Sequence, residues 1–295
     1  MTQLEQLLKE RILVLAGSTG VLLLQKKLEE KDFHFEGSPS KVDAMLEALT
    51  GNISELPKRP LKGNFDVLNL TRPDILKEIF TQYCEAGADI INTNTFNGTR
   101  ISQAEYGTED WARAFNIAGA RIAREVVDSF TDKKRFVSGS MGPTPRTASI
   151  SPKVEDPAFR AITFDELAVA YQEQAEALIE GGVDILLLET IFDTLNAKAA
   201  IYGIEETFTK LKKRLPVIIS GTITDQAGRT LSGQTAEAFY LSIKHAKPLA
   251  VGLNCALGAE ALREHIRAIS NIAGEFTSIH PNAGLPNDMG DYEDT

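Results

Sequence analysis

Short apolar runs alternate along the chain with longer segments of helical periodicity, and this alternation constrains the fold more than any other feature. Seven runs are nearly continuously apolar, as strands buried on both faces of a parallel sheet are. They are Ile12–Gly17, Ala88–Asn94, Arg135–Gly142, Val183–Thr190, Pro216–Ile223, Leu249–Cys255 and Phe276–Gly284. Between them, apolar residues recur at helical spacing, and glycines follow several of the helical segments. The alternation predicts a parallel α/β fold.

Polar residues at the C-terminal ends of the predicted strands favour one of the two parallel α/β architectures. A doubly wound sheet, the simpler expectation, places its ligand contacts mostly at one switch point. A (β/α)8-type TIM barrel builds its active site on one face from many strands at once. The strand-end polar residues are Asn92 to Asn94, Ser138 to Ser140, Glu189-Thr190, Thr222 to Asp225, Asn254-Cys255 and His280 to Asn282. We therefore predict a parallel TIM barrel.

The predicted barrel forms one domain over residues 1–295 and is incomplete. Seven strands are present in the sequence, and we expect the chain to stop before the eighth strand-helix unit. Between Lys31 and Asn69 the pattern is irregular and rich in glycine and proline, which indicates a surface excursion whose middle, Val42 to Leu49, is helical.

Charge and cysteine content exclude several classes of protein. Lys and Arg number 31 and Asp and Glu 41, which gives a formal net charge of -10. Such a chain repels phosphate backbones, so nucleic acid is not an expected partner. Two cysteines do not make a disulfide framework, and no apolar run approaches the roughly 20 residues that span a bilayer. The N-terminal segment lacks the pattern of a signal peptide. We expect a cytoplasmic protein that does not bind membranes.

Strings that follow the predicted strands resemble the N-terminal homocysteine-binding domain of cobalamin-dependent methionine synthases, in the homocysteine S-methyltransferase family. They are Asn92–Asn97, Gly142–Thr144 followed by Arg146–Ser149, Leu188–Lys198, Ser220–Asp225 followed by Gly228–Thr235, Gly252–Gly258 and His280–Pro286. Their order and spacing are more specific than any single motif and cover nearly the whole chain. The related betaine–homocysteine methyltransferases share the barrel, but the strings fit the methionine synthases better.

The resemblance implies that L-homocysteine is activated as a zinc-bound thiolate. A thiol has a pKa of about 8.5, and Zn²⁺ lowers that value so that the nucleophilic thiolate forms near neutral pH. By resemblance, Cys255 is the first zinc ligand, although a buried free cysteine is a common alternative. Asn254 would orient the site or supply an oxygen ligand, or else hold a strand-end hydrogen bond. Cys84 is expected in the core.

Further residues are candidates for contact with the substrate. Glu189 ends an apolar strand, where its carboxylate would pair with the amino group of homocysteine or, alternatively, with a structural Lys or Arg. Backbone N–H groups in the turn that contains Gly17, Ser18 and Thr19 would bind the substrate carboxylate, or simply form a tight turn. The remaining candidates are polar cavity residues or loop caps. They are Asn94, Thr95, Thr222 and Asp225. His280 is expected to be a packed strand-end histidine.

Two departures from the family pattern bear on activity. The family carries an Asp in the first strand where this chain has Ala16, and losing such a charged hydrogen bond costs about 1.5–3 kcal/mol. Asn92 stands where the family more often has Glu. The other two zinc ligands of the family are adjacent cysteines on the last strand, and no such pair exists here. A single cysteine cannot make a zinc site.

Several hypotheses follow from these departures. The leading one is the homocysteine-activating part of a methionine synthase, a methyltransferase by resemblance. Methylcobalamin, recharged by methyltetrahydrofolate, would act through cobalamin and folate modules absent from this chain. The missing barrel unit indicates a fragment, a split protein completed by another chain, or a degenerate barrel acting as a binding or assembly partner without catalysis. A phosphate-binding barrel lyase is disfavoured because it needs an eighth strand.

Overall fold

Six parallel strands form one curled sheet in the order of the chain in a computed structural model, which describes residues 2–35, 57–225 and 227–283. Each strand pairs in parallel with the next. The strands are β1 (Ile90–Asn92), β2 (Phe136–Met141), β3 (Ile185–Ile191), β4 (Val217–Gly221), β5 (Ala250–Gly258) and β6 (Phe276–Asn282). This half-barrel confirms the predicted incomplete parallel α/β barrel.

The first predicted strand, Ile12–Gly17, joins this sheet at one point only. Leu15 forms an isolated parallel bridge with Ile90 of β1. The Ala16 amide donates to the Ile90 carbonyl at 2.8 Å, and the Ile90 amide donates to the Val14 carbonyl at 3.1 Å. The backbone then turns at once into a helix whose N-cap is Ser18, so the pairing cannot extend. Six of the seven predicted strands are therefore regular strands.

Helices separate the strands as the periodicity predicts. They are α1 (Gln3–Glu10), α2 (Thr19–Gln25), α3 (Leu68–Thr71), α4 (Pro73–Glu85), α5 (Arg100–Gln103), α6 (Ala112–Ser129), α7 (Phe164–Gly181), α8 (Thr194–Leu211), α9 (Ala236–Ile243) and α10 (Ala259–Ile272). None of the helices in the described ranges is long and apolar enough to cross a membrane. The helix predicted from Val42 to Leu49 lies outside the described residues.

Local sequence signals set the ends of the longer helices. Thr163 and Glu166 form a reciprocal capping box at the start of α7, which satisfies two backbone donors that the helix leaves free. The same helix ends at Gly182, whose φ of 97° is left-handed and suits a residue without a side chain. Asp193 caps α8 by accepting from the amides of Leu195 and Asn196.

The apolar core has two parts, one on each face of the sheet. On the outer face, the helices pack onto the strands through large buried side chains such as Phe80, Phe115 and Tyr171, and Cys84 lies there as predicted, 1% exposed. On the inner face, Leu4 of α1 packs against residues at the amino ends of the strands. They are Ile90, Phe136, Ile185, Leu187, Ile218 and Ala250. Apolar side chains thus fill the half-barrel at the amino ends of the strands, and the polar groups lie at the carboxyl ends.

A buried carboxylate fastens the first segment of the chain to β1. Asp89 is 1% exposed, and Arg11 donates to both of its oxygens at 2.8 Å. Lys133 donates to it at 2.6 Å, and the Val14 amide donates at 2.9 Å. Burial alone would raise the pKa of Asp89, but these donors outweigh it and hold the pKa well below its usual range. The ionised carboxylate therefore links the N-terminal segment to the sheet.

Candidate active site

A cavity of about 600 Å³ opens at the carboxyl ends of the strands. Its walls come from the first segment, the short 3-10 helix Phe65–Val67, and the ends of β1, β2, β3, β5 and β6. Six of the ten residues that the sequence marks as candidates for the site border this cavity. They are Gly17, Ser18, Thr19, Asn94, Glu189 and Cys255. His280 borders it as well, and burial lowers the pKa of its imidazole.

Glu189 presents its carboxyl group at the cavity wall near the end of β3. The Ser140 hydroxyl on β2 donates to Oε1 of Glu189 at 2.5 Å. Burial raises the pKa of Glu189 to about 7, and the Ser140 hydrogen bond offsets only part of that rise. Among the described residues, none that borders the cavity is a Lys or Arg. The carboxylate is therefore available to a cationic group of a ligand.

Cys255 borders the same cavity from β5 and is held by its neighbours. The Asn254 amide nitrogen donates to the Cys255 sulfur at 3.1 Å, and the Thr190 hydroxyl lies 3.8 Å from the sulfur. Burial raises the pKa of the Cys255 thiol, while the hydrogen bonds from Thr190 and Asn254 act in the opposite direction. Glu189 and Cys255 therefore meet at one cavity, and the thiol is favoured over the thiolate by its surroundings.

Asn254 lies beside the cavity rather than in its wall, 2% exposed. Its side-chain oxygen accepts from the Ser220 hydroxyl at 2.6 Å and from the Thr190 amide at 3.0 Å. Its nitrogen also donates to the Thr190 hydroxyl at 2.7 Å. These contacts use both ends of the amide, which fits the orienting and strand-end hydrogen-bonding roles better than an oxygen ligand.

Two irregularities in strand pairing bring Glu189 and Cys255 to the cavity. The pairing of β3 with β4 shifts between Leu188 and Ile191, and that of β5 with β6 shifts between Asn254 and Gly258. Thr190, Cys255 and Ala256 have φ values of 57°, 60° and 59°, which are left-handed and strained for residues with side chains. Such bulges re-aim side chains at strand ends. No turn residue in the sequence indicates them.

The turn at Gly17 is shaped by close packing against Tyr83. A Cβ atom on Gly17 would lie 2.9 Å from the Tyr83 ring, which is too close for any other residue without rearrangement. The Tyr83 hydroxyl donates to the Ser18 carbonyl at 3.0 Å. The Ser18 hydroxyl accepts from the Val21 amide at 3.3 Å and so caps α2. Gly17, Ser18 and Thr19 form a fixed turn that borders the cavity.

The other four polar candidates divide between the wall and the supporting structure. Asn94 borders the cavity and donates to the Phe65 carbonyl at 2.7 Å. Thr95 is fully buried, and its hydroxyl donates to the Ser140 carbonyl at 2.8 Å. Thr222 is buried away from the wall. Asp225 is exposed and accepts from the Arg229 amide at 2.8 Å, as a loop cap does.

Asp66 is a cavity residue that the sequence pattern did not reveal. It lies in the 3-10 helix Phe65–Val67, only 2% exposed, within the stretch predicted to be an irregular surface excursion. An acidic residue between two apolar ones, Phe65 and Val67, was the available signal, because apolar neighbours can draw a segment into the core, and acidic residues are seldom buried without a partner.

The described residues do not fit a zinc site. Across residues 2–35, 57–225 and 227–283, no group of three or more His, Cys, Asp or Glu side chains is placed to hold a metal ion. A catalytic zinc ion takes three protein ligands. Cys255 is at most a single candidate ligand among the described residues.

Comparison with known proteins shows which solved structures share this fold. The metallated form of the homocysteine methyltransferase MmuM from Escherichia coli superimposes with a TM-score of 0.69 at 18% identity, covering 96% of this chain and 88% of MmuM. The oxidized form gives a TM-score of 0.68 at 17% identity, over 96% and 86%. At these identities the likeness shows a shared fold. The family model described as homocysteine S-methyltransferase matches residues 13–295. The chain belongs to the homocysteine S-methyltransferase family.

Proposed function

We propose that residues 1–295 act as one domain that binds L-homocysteine and presents its sulfur for methylation, as in a methionine synthase. The observation that carries the proposal is that Glu189 and the Cys255 thiol border the same cavity, where the described wall residues include no Lys or Arg. Membership of the homocysteine S-methyltransferase family supports this choice of substrate.

Each end of an amino-acid substrate has a matching group at the cavity. The ammonium group would pair with Glu189, whose carboxylate is oriented by Ser140. Pairing with a cation favours the ionised carboxylate and offsets the effect of burial. The substrate carboxylate would lie against the turn at Ser18 and Thr19, and the thiol would point toward Cys255.

The finer parts of the proposal come from the family. They are zinc–thiolate activation with Cys255 as a ligand, and methyl transfer from methylcobalamin, recharged by a folate, through separate modules. A thiol must lose its proton before it attacks a methyl group, and a bound zinc ion would supply that activation. The donor set of the described residues does not supply the other ligands.

A barrel that binds homocysteine without activating it is the second candidate. Two observations favour it: Ala16 stands in the first segment where the family has Asp, and the described residues hold no three-ligand group. Metal analysis of the purified protein, with and without homocysteine, separates the two candidates. Stoichiometric zinc supports the enzyme, and its absence in both samples supports the non-catalytic barrel.

Calorimetric titration with L-homocysteine tests the binding proposal. We expect Glu189→Gln to weaken the affinity about 10- to 100-fold, because one charge-assisted hydrogen bond is lost. Glu205→Gln is the matched control, because Glu205 lies on α8 and forms an ion pair with Arg214 away from the cavity. This variant should bind homocysteine as the native protein does. Equal affinities of the native protein, Glu189→Gln and Glu205→Gln for L-homocysteine would contradict the proposal.

A further inference from the structure

Glu189 is not the only carboxyl group that borders the cavity. Asp66 also borders it, and the wall residues that the structure describes include neither Lys nor Arg. Buried carboxylates in proteins are normally paired with a cation or satisfied by several donors, because an unpaired charge is costly in an apolar setting. Two carboxyl groups with no Lys or Arg beside them in the described part of the wall suit a positively charged ligand group.

Asp66 borders the cavity, and one of its carboxyl oxygens is not satisfied there. Its carboxyl group interacts with the backbone N–H of Asn97 and with its own backbone N–H. Its Oδ1 atom is buried and has no hydrogen-bond partner in the described parts of the chain. Burial raises the pKa of Asp66 to about 7 in spite of those backbone contacts. The backbone at Phe65 is fixed in turn by the 2.7 Å hydrogen bond from Asn94.

Asn92 adds a second free acceptor at the same cavity. It ends β1, is 8% exposed, and borders the cavity together with Asp66. Its side-chain oxygen is buried and, among the described residues, has no donor. An ammonium group carries three N–H donors and no acceptor. The Glu189 carboxylate, Asp66 Oδ1 and Asn92 Oδ1 provide a matching number of acceptor groups.

We propose that Asp66 is a specificity-determining residue that binds the α-ammonium group of the substrate, with Asn92 as a neutral acceptor beside it. The inference rests on the proposed function, because it assumes an amino-acid substrate in this cavity. It adds that the free amino group is the feature for which this cavity selects. If Asp66 served only to hold the loop at Asn97, its carboxylate would contribute equally to the binding of any thiol.

Two ligands that differ only in the amino group test this role. L-homocysteine and 4-mercaptobutanoate share the thiol and the carboxylate, and only the first carries an ammonium group. Calorimetric titration of the native protein and Asp66→Asn gives four affinities. We expect the variant to bind L-homocysteine about 10- to 100-fold more weakly, with the affinity for 4-mercaptobutanoate unchanged within twofold.

The other outcomes are distinguishable. Equal weakening toward both ligands would assign Asp66 a structural role and overturn the inference, as would an unchanged affinity for L-homocysteine. A native protein that binds neither thiol would overturn the proposed function itself, and the inference with it.

Two further variants control for folding. Asp89→Asn is the matched control, because it also changes a buried carboxyl group near β1, but at the Arg11 and Lys133 end, and it should leave the ratio of the two affinities unchanged. If Asp66→Asn does not fold, as judged by circular dichroism, Asn92→Leu carries the test. It removes the neutral acceptor without stranding a donor, and a ratio equal to that of the native protein would overturn the inference.

Discussion

Two buried carboxyl groups of this protein differ in charge because they differ in donors. Asp89 receives hydrogen bonds from Arg11, Lys133 and the Val14 amide, and its pKa is well below the usual range. Glu189 receives one hydrogen bond, from Ser140, and burial raises its pKa to about 7. The number and charge of the donors decide whether burial is outweighed. Asp89 thus serves stability, and Glu189 is left for a ligand.

Asp89 should make the free energy of unfolding depend on pH in the acidic range. Its pKa is lower in the folded than in the unfolded chain, so the unfolded chain binds more protons as the pH falls below the ordinary value of 3.8. The stabilisation is complete above that value and is lost as the pH drops toward the folded pKa. We expect Asp89→Asn to cost about 1–3 kcal/mol at pH 7 and to flatten the acid dependence.

Urea unfolding of the native protein and Asp89→Asn between pH 3 and pH 7 measures both effects. The difference between the two free energies of unfolding should shrink as the solution becomes more acidic. A difference that stays constant over this range would contradict the role given to Asp89.

The positions of Glu189 and Cys255 at the cavity depend on the register shifts in β3 and β5. They place Thr190, Cys255 and Ala256 in the left-handed region, where residues with side chains are strained. Strain at strand ends next to a cavity is a known way to hold functional side chains in an unusual direction. The stability of the surrounding sheet offsets this strain.

Relief of that strain at Ala256 should be measurable. We expect Ala256→Gly to stabilise the protein by about 0.5–1 kcal/mol in urea unfolding, because glycine adopts a φ of 59° without steric cost. Ala261→Gly is the matched control, since Ala261 is exposed within α10 and glycine there should cost about 1 kcal/mol. A loss of stability in both variants would show that Ala256 is not strained.

Regular elements follow from the sequence because their patterns are local. The run Val183–Thr190 predicts β3, observed at Ile185–Ile191, and the capping residue Asp193 marks the start of α8. The bulges could not be predicted, because a pairing shift depends on two strands at once. Asp66 was missed for a similar reason: its burial is set by the packing of the 3-10 helix against Asn94, which is distant in sequence.

At the scale of the whole molecule, α1 completes the amino end of the curled sheet. Leu4 is 3% exposed and packs against alternate strand residues of the inner face, including Ile90 and Ile185. The cavity lies at the opposite, carboxyl end. Apolar packing thus occupies one end of the sheet and a polar-lined cavity the other, and barrel enzymes divide their two faces in the same way.

This division predicts that a change at the amino end affects stability and not binding. We expect Leu4→Ala to lower the free energy of unfolding by about 2–5 kcal/mol while leaving the affinity for L-homocysteine unchanged. Leu241→Ala, at a side chain that is 55% exposed, should cost much less and serves as the control. A large change in affinity in folded Leu4→Ala would contradict the separation of the two ends.

The hydrogen bonds of Asn254 bear on which sequence changes this protein can tolerate during evolution. Its amide joins Thr190 on β3, Ser220 on β4 and the Cys255 sulfur on β5. The position of the thiol is therefore tied, through Asn254, to residues of three neighbouring strands and not to a connecting loop. Insertions, deletions and substitutions in the loops can therefore accumulate without displacing the sulfur. A single substitution of Asn254 would remove the hydrogen bonds that fix the position of the sulfur.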